Sequence, residues 1–276
     1  MEPLVTTAWL GRMLAEPPGG GAQPVVLDAS SHLPAAGRDA RAEFAAAHIP
    51  GALFLDFAGL LGPEQFAGRM EELGIGAGTP VILYDDSVLR TSARAWFILR
   101  HHGLADVAIL DGGLGKWRAE GLPLESGSGG PARPGAAPSP GSARKDLRSK
   151  ADMLANLSAG AEQVVDAREA ERFSGEKPDI RPGIPAGHIP GSRNLPYAAL
   201  LNADGTYRRP EELRAAFEDA GIDLGRPIVT TCGSGVTASV LLFALHLIGK
   251  EDVALYDGSW AEWGADPATP KAQGPA

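Results

Sequence analysis

Short apolar segments alternate with helical stretches along most of the chain. Apolar runs rich in Val, Ile and Leu, typical of buried strands, cover residues 24–29, 80–85, 107–110, 164–167 and 227–229. Stretches with the composition of helices cover residues 7–14, 41–47, 92–101, 114–120 and 238–248. Alternation of this kind predicts an α/β fold with mainly parallel sheets and helices on both faces.

The same series of motifs occurs twice. A strand ends at Asp28 and again at Asp166, and the sequence His-Ile-Pro-Gly occurs at 48–51 and 188–191. The separation of corresponding residues is too long for a short-period repeat protein, so it indicates a duplicated domain. A Gly-, Pro- and Ser-rich stretch lies between the copies. We predict tandem domains at 1–124 and 147–276, joined by a linker at 125–146.

Composition excludes several classes of partner. The formal net charge is −9, the basic residues are scattered, and no run reaches the about 18 apolar residues of a membrane helix. We therefore expect neither nucleic acid nor a membrane as partner. A single cysteine allows no intramolecular disulfide and fits a reducing, cytoplasmic compartment. No spacing typical of a metal site or a nucleotide-binding loop is present, so no metal or cofactor is expected.

The cysteine, Cys232, lies between a predicted strand and a predicted helix. The first N–H groups of a helix have no partner within the helix, and they stabilise an anion in the preceding loop. Gly233 and Gly235 lack a Cβ, which allows the backbone to turn its N–H groups towards the sulfur. This position indicates a nucleophilic thiolate. The alternative is a small buried hydrophobic residue, the more common state of a lone cysteine.

The duplication provides an internal comparison. Features of both copies, such as His48 and His188, are candidates for the fold, whereas features of one copy are candidates for chemistry. Asp85 stands in register with Cys232, and a second carboxylate, Asp86, follows it in a loop without glycines. Such a loop is a poor site for an anion, so we predict that the first domain is catalytically inactive.

The same comparison selects two arginines of the second copy. Arg172 stands where the first copy has Glu43, and Arg181 lies in an insertion that the first copy lacks. Guanidinium groups bind carboxylate oxygens in a bidentate manner, so these two could hold an anionic substrate. Equally, they could be surface arginines paired with Asp179 or Glu176.

These features together resemble the tandem-domain rhodanese sulfurtransferases. The likeness rests on the strand-terminal Asp, the repeated His-Ile-Pro-Gly, the single loop cysteine and the sequence Tyr-Asp-Gly-Ser-Trp-Ala-Glu-Trp at 256–263. The loop Cys-Gly-Ser-Gly-Val-Thr at 232–237 is similar to that of the 3-mercaptopyruvate sulfurtransferases. Thiosulfate sulfurtransferases typically carry Arg-Lys where this chain has Gly233-Ser234.

The resemblance implies a two-step transfer of sulfur. Cys232 would take sulfur from a small anionic donor as a persulfide and pass it to a thiol, to cyanide or to a thioredoxin-like protein. Arg172 and Arg181 would bind the carboxylate of 3-mercaptopyruvate. The remaining loop residues implied in substrate binding are Gly233, Ser234, Gly235, Val236 and Thr237.

One departure leaves the donor open. The mercaptopyruvate enzymes carry an Asp and a His in the first domain, whereas here Ala58 replaces the Asp and the short segment that follows has no His. Thiosulfate is therefore the alternative donor. A non-enzymatic persulfide carrier is an alternative of another class. A cysteine phosphatase is disfavoured, because Ala238 stands where the Cys-x5-Arg motif requires Arg.

Overall fold

The computed structural model describes residues 1–16, 23–131 and 145–275, and these form two compact units. The first contains the described residues up to 131 together with 203–206, and the second contains 145–202 and 207–275. Each unit has one five-stranded sheet whose strand pairs are parallel. Helices flank both sheets, so the α/β fold with two tandem sheets is confirmed.

In the first unit the strand order is β1-β5-β4-β2-β3. The elements are β1 Leu4–Val5, α1 Thr7–Ala15, β2 Val25–Asp28, α2 Ala40–Ala46, β3 Leu53–Phe54, α3 Pro63–Leu73, β4 Val81–Tyr84, α4 Thr91–His101, β5 Val107–Leu110 and α5 Gly113–Ala119. A 3-10 turn covers Pro34–Ala36. The four helices and three strands predicted in this unit all lie within one residue of their predicted bounds.

In the second unit the strand order, β6-β10-β9-β7-β8, repeats that of the first. The elements are β6 Leu147–Arg148, α6 Lys150–Ala159, β7 Gln163–Asp166, α7 Ala170–Ser174, β8 Arg193–Asn194, α8 Pro210–Asp219, β9 Ile228–Thr231, α9 Ala238–Leu247, β10 Val253–Tyr256 and α10 Ser259–Trp263. A 3-10 turn covers Tyr197–Leu200. The sequence repeat therefore corresponds to a structural repeat.

Burial accounts for the apolar sequences of the central strands. Every residue of β4 and β9 is buried, as expected for parallel strands covered on both faces. Eight residues of α9 are buried as well, which accounts for a helix that is apolar on nearly all sides. The core of the second unit includes Trp260 and Trp263 of the C-terminal motif. Burial of large aromatic side chains explains why this motif has two tryptophans.

Strand register places the loop after β4 and the loop after β9 at the corresponding edge of their sheets. Tyr84 of β4 pairs with Asp28 of β2, and Thr231 of β9 pairs with Asp166 of β7. Each loop therefore begins at the carboxyl end of a central strand, where open α/β sheets bind ligands. Cys232 is the first residue after β9.

The repeated histidines are structural, as the internal comparison predicts. His48 stacks on Phe44 with ring centroids 4.2 Å apart, and its Nδ1 lies 2.8 Å from the Phe44 carbonyl oxygen. His188 repeats the arrangement with Phe173, at 3.8 Å and 2.9 Å. Both rings are nearly fully buried. Each histidine thus fixes the turn that follows it to the helix that precedes it.

The predicted linker is only partly described. Its first residues hydrogen-bond to the first unit, with the Gly127 N–H donating to the Ala45 carbonyl and the Gly130 N–H to the Ala52 carbonyl. This stretch is therefore attached to the first unit. Residues 132–144 of the predicted linker lie outside the described residues, and the domain limits stay a prediction. Among the helices of residues 1–16, 23–131 and 145–275, none is long and apolar enough to cross a membrane.

Candidate active site

The loop of residues 232–237 connects β9 to α9 and makes different use of its two glycines. Gly235 has φ 76°, a left-handed conformation that favours glycine. The φ of Gly233 is not in that region, so the prediction that both glycines are needed for unusual backbone angles is wrong for Gly233. Gly233 is needed for space instead. A Cβ there would lie 3.3 Å from Nη1 of Arg181 and 3.6 Å from Nη2 of Arg172.

Cys232 lies at the base of this loop with 2% of its surface exposed. Its Sγ accepts the backbone N–H of Ser234, with the nitrogen 3.4 Å from the sulfur. Within the part of the chain that the structure describes, the N–H groups of Val236 and Thr237 donate to no protein acceptor. They belong to the turn that leads into α9, so they are available to a charged group near the sulfur.

The C-terminal motif holds the loop from the other side. The Trp260 N–H donates to the Cys232 carbonyl and the Ala261 N–H donates to the Gly233 carbonyl, both at 3.0 Å. The Oγ of Ser259 accepts the N–H of Cys232 at 3.2 Å and that of Gly235 at 3.0 Å. The Gly235 N–H is therefore directed to Ser259, not to the sulfur as the sequence analysis expects.

Both predicted arginines lie beside the loop, and both bind the same carboxylate. Asp179 accepts Nη2 of Arg172 at 2.8 Å, Nη1 of Arg181 at 3.3 Å and the backbone N–H of Arg181 at 2.9 Å. Its side chain is 1% exposed, whereas those of Arg172 and Arg181 are 18% and 30% exposed. The two alternatives of the sequence analysis are thus compatible, because the arginines pair with Asp179 and still face Gly233.

The charges of this cluster favour a monoanion. Burial raises the pKa of Asp179, but the Arg181 backbone N–H and the Arg172 guanidinium outweigh burial, so its pKa lies below the ordinary value. Asp179 is then ionised at neutral pH, and the cluster of two arginines and one carboxylate carries a net charge of about +1. Among the described residues, the buried Nε of Arg172 has no hydrogen-bond partner. A bound anion could accept that N–H.

The corresponding loop of the first unit holds its own carboxylate. Asp85 accepts the N–H of Ser87 and the N–H of Ser92, each at 2.9 Å. These two N–H groups are thus occupied by the Asp85 side chain of the same loop. Burial raises the pKa of Asp85 despite these two hydrogen bonds. The neighbouring Asp86 pairs with Arg38 and Arg118 instead.

A buried ion pair next to the insertion was not found from the sequence. Arg168 binds Asp166 through two nitrogens, and both side chains are 2% exposed. The same guanidinium donates to the Gly187 carbonyl at 2.8 Å and lies 5.0 Å from the Trp260 ring centroid. Arg168 thereby connects the end of β7 to the end of the Arg181 insertion. The first copy has Ser30 in register, and that difference is the signal that could have identified it.

The first-domain segment that departs from the resemblance forms a short turn after β3. The N–H of Ala58 donates to Oδ1 of Asp56 at 3.0 Å. The methyl side chain of Ala58 cannot relay a proton. Ser234 itself is exposed.

Comparison with known proteins now identifies the class. The model of the rhodanese-like domain matches residues 14–120 and 149–266. The chain belongs to the rhodanese-like family, with one such domain in each copy of the repeat.

Curated relatives and solved structures agree with this assignment. Over 94% of its length the chain is 42% identical to the 3-mercaptopyruvate sulfurtransferase of Homo sapiens, covering 91% of that protein. It is 39% identical to the thiosulfate sulfurtransferase of Cricetulus griseus, with 98% of this chain and 95% of the relative covered. The crystal structure of SseA, a 3-mercaptopyruvate sulfotransferase from Escherichia coli, superimposes with a TM-score of 0.80 at 34% identity, covering 94% of this chain and 99% of SseA.

Proposed function

We propose that this chain is a sulfurtransferase that moves sulfur from 3-mercaptopyruvate to a thiol or to cyanide through a persulfide on Cys232. The relatives in Homo sapiens and Escherichia coli bear the corresponding names. The single observation that carries the assignment is the pair of guanidinium groups beside Gly233. Their nearest nitrogens lie 3.3 Å (Arg181) and 3.6 Å (Arg172) from the position that a Cβ would occupy there. A carboxylate bound there lies next to the residue that follows the nucleophile.

The first half-reaction begins with attack of the Cys232 thiolate on the donor sulfur. A new S–S bond forms while the C–S bond of 3-mercaptopyruvate breaks, and its electron pair leaves on carbon as the enolate of pyruvate. Water or the substrate thiol supplies the proton that converts the enolate to pyruvate. In this scheme Arg172 and Arg181 bind the donor carboxylate, and the N–H groups of Ser234, Val236 and Thr237 stabilise charge on the sulfurs.

The second half-reaction returns the enzyme to its initial state. An acceptor thiolate or cyanide attacks the outer sulfur of the persulfide, the S–S bond breaks, and Cys232 leaves as a thiolate. The 2% exposure of Cys232 favours small acceptors that enter the loop. A thioredoxin-like acceptor and a cytoplasmic location stay predictions.

Thiosulfate is the second candidate donor, because the relative from Cricetulus griseus is named for it. Charge favours 3-mercaptopyruvate. The site has a net charge of about +1 because Asp179 is ionised, so it neutralises one carboxylate. A bound dianion would keep one negative charge uncompensated and partly removed from water, which is costly. Residues 233 and 234 of the loop add no cation.

The test is steady-state transfer to cyanide with the two donors compared at equal concentration. The proposal expects a higher kcat/KM with 3-mercaptopyruvate, no transfer by Cys232→Ser, and a loss of about tenfold or more in kcat/KM for Arg181→Ala. Arg193→Ala, which removes an arginine of β8 that lies outside the site, is the matched control. A higher kcat/KM with thiosulfate would overturn the choice of donor, and transfer by Cys232→Ser would overturn the mechanism.

A further inference from the structure

Ser259 has an unusual position below the Cys232 loop. Its φ is 52°, a left-handed conformation that is unfavourable for a residue with a Cβ, and its side chain is completely buried. Strained residues of this kind persist where the surrounding structure requires them, and they are frequent at functional sites.

The hydroxyl of Ser259 takes part in three hydrogen bonds. The Ser259 Oγ donates to the Tyr256 carbonyl at 2.9 Å and accepts the N–H groups of Cys232 at 3.2 Å and Gly235 at 3.0 Å. One donor and two acceptor sites are all that a hydroxyl offers, so this hydroxyl is fully occupied. It has no capacity left for a substrate. Its effect on the reaction must therefore pass through the loop backbone.

Gly235 is held from two sides. Its N–H binds Ser259, and its carbonyl accepts the hydroxyl of Ser239 of α9 at 2.9 Å. Ser239 is also completely buried. Gly235 is the left-handed residue at which the loop reverses direction, so these two bonds set the direction of the N–H groups that follow it.

The first unit lacks both hydroxyls. Residues of the first unit between α4 and α5 correspond to residues 146 positions later in the second unit, as Asp111 does to Asp257. Gly113 therefore corresponds to Ser259, and Ala93 corresponds to Ser239. Gly113 is left-handed as well, with φ 58°, and a Cβ on it would clash with the Asp85 carbonyl oxygen. The first unit instead holds its loop through the Asp85 carboxylate. The hydroxyls thus occur only in the unit that has the cysteine.

We propose that Ser259 is a positioning residue for Cys232. Its hydroxyl fixes the backbone of the loop at the nucleophile and at Gly235, so that the sulfur and the N–H groups near it are in place before the donor binds. Loss of the hydroxyl leaves two buried N–H groups without an acceptor, and the loop must rearrange to satisfy them. The inference rests on the proposed function only for the identity of the group transferred.

The experiment compares Ser259→Ala with Ser259→Gly. Both remove the hydroxyl, and the glycine also relieves the left-handed strain and reproduces the residue of the first unit. Ser192→Ala is the matched control, since Ser192 is a buried serine of the same unit whose hydroxyl donates to the Ile189 carbonyl away from the loop. For each variant we would measure kcat and KM for 3-mercaptopyruvate, the rate of Cys232 alkylation by iodoacetamide, and the melting temperature.

For both Ser259 variants we expect a fall of about 10- to 100-fold in kcat, because small displacements of a nucleophile have effects of this size. The alkylation rate should fall with it, while the KM changes little because Arg172 and Arg181 do not contact Ser259. Ser192→Ala should melt at a lower temperature and keep its kcat. If Ser259→Ala does not fold, Ser259→Gly decides alone.

Two results would overturn the inference. One is a Ser259→Gly protein with unchanged kcat and unchanged alkylation, which would make the hydroxyl purely structural. The other is a rise in KM with constant kcat, which would place the effect at the donor carboxylate. If the unmodified protein transfers no sulfur from 3-mercaptopyruvate, the proposed function fails, and the alkylation rates still decide the role of Ser259.

Discussion

Gly233→Ala tests whether the two guanidinium groups beside Gly233 bind the donor carboxylate. The φ of Gly233 is outside the left-handed region, so alanine fits the backbone. The new Cβ would lie 3.3 Å from Nη1 of Arg181, which is closer than an ordinary contact, and 3.6 Å from Nη2 of Arg172. Arg181 must therefore shift by a few tenths of an ångström, whereas Arg172 need not.

The magnitude follows from this shift. The Arg181 Nη1 bond to Asp179 is already 3.3 Å long, so a displaced guanidinium holds both Asp179 and the donor carboxylate less well. Because Arg181 is 30% exposed, water compensates for part of the loss. We expect about 1 kcal/mol, or about fivefold in kcat/KM for 3-mercaptopyruvate. Most of the change should be in KM.

Steady-state kinetics with 3-mercaptopyruvate, together with thermal melts, provide the assay. Gly78→Ala is the matched control, because a Cβ on Gly78 meets no atom within 4 Å and its φ is also allowed. Both variants should melt close to the unmodified protein. Unchanged kinetic constants for Gly233→Ala would refute the placement of the donor carboxylate beside this residue.

Two further perturbations address the charges. Asp179→Asn removes the counter-charge of both arginines, so we expect the ratio of kcat/KM for 3-mercaptopyruvate to that for thiosulfate to fall; a constant or rising ratio would contradict the charge argument. Folding lowers the pKa of Asp179, so the stability that its carboxylate provides is complete above its unfolded pKa of about 4 and is lost as pH falls through the lower folded value. The difference in melting temperature between the unmodified protein and Asp179→Asn should therefore shrink below about pH 4. Arg168→Ala leaves the Asp166 carboxylate buried without its cation, and chemical denaturation should show a loss of about 3 to 5 kcal/mol; a loss below about 1 kcal/mol would show that the pair adds little.

Much of the fold could be predicted from the sequence because its central strands and helix α9 are nearly continuous apolar runs. The helix predicted over 238–248 is observed as Ala238–Leu247, and the strand predicted over 107–110 is Val107–Leu110. The edge strands β1, β3, β6 and β8 have two residues each and escaped prediction. Two residues cannot show a periodicity, so only the pairing partner defines such strands.

The candidate site was predictable where the two copies differ in residue type. Cys232 was indicated by its position between a strand and a helix, whereas Arg172 and Arg181 came from the comparison of the copies. The structure places both arginines beside the cysteine loop. The joint pairing with Asp179 depends on the path of the insertion, which no pattern of residues determines. The proposed role of Ser259 could not be predicted, although the first copy has Gly113 at the corresponding position. Its hydrogen bonds to Cys232 and Gly235 join residues that are 27 and 24 positions apart in the sequence.

The most direct test of the sulfurtransferase assignment is the intact mass of the protein after incubation with 3-mercaptopyruvate and no acceptor. The account predicts a mass increase of one sulfur atom, located on Cys232 by peptide mapping, with one pyruvate released for each sulfur bound. Cyanide should remove the added mass and yield thiocyanate, and Cys232→Ser should show no increase. Pyruvate release without added mass, or sulfur found on another residue, would contradict the account.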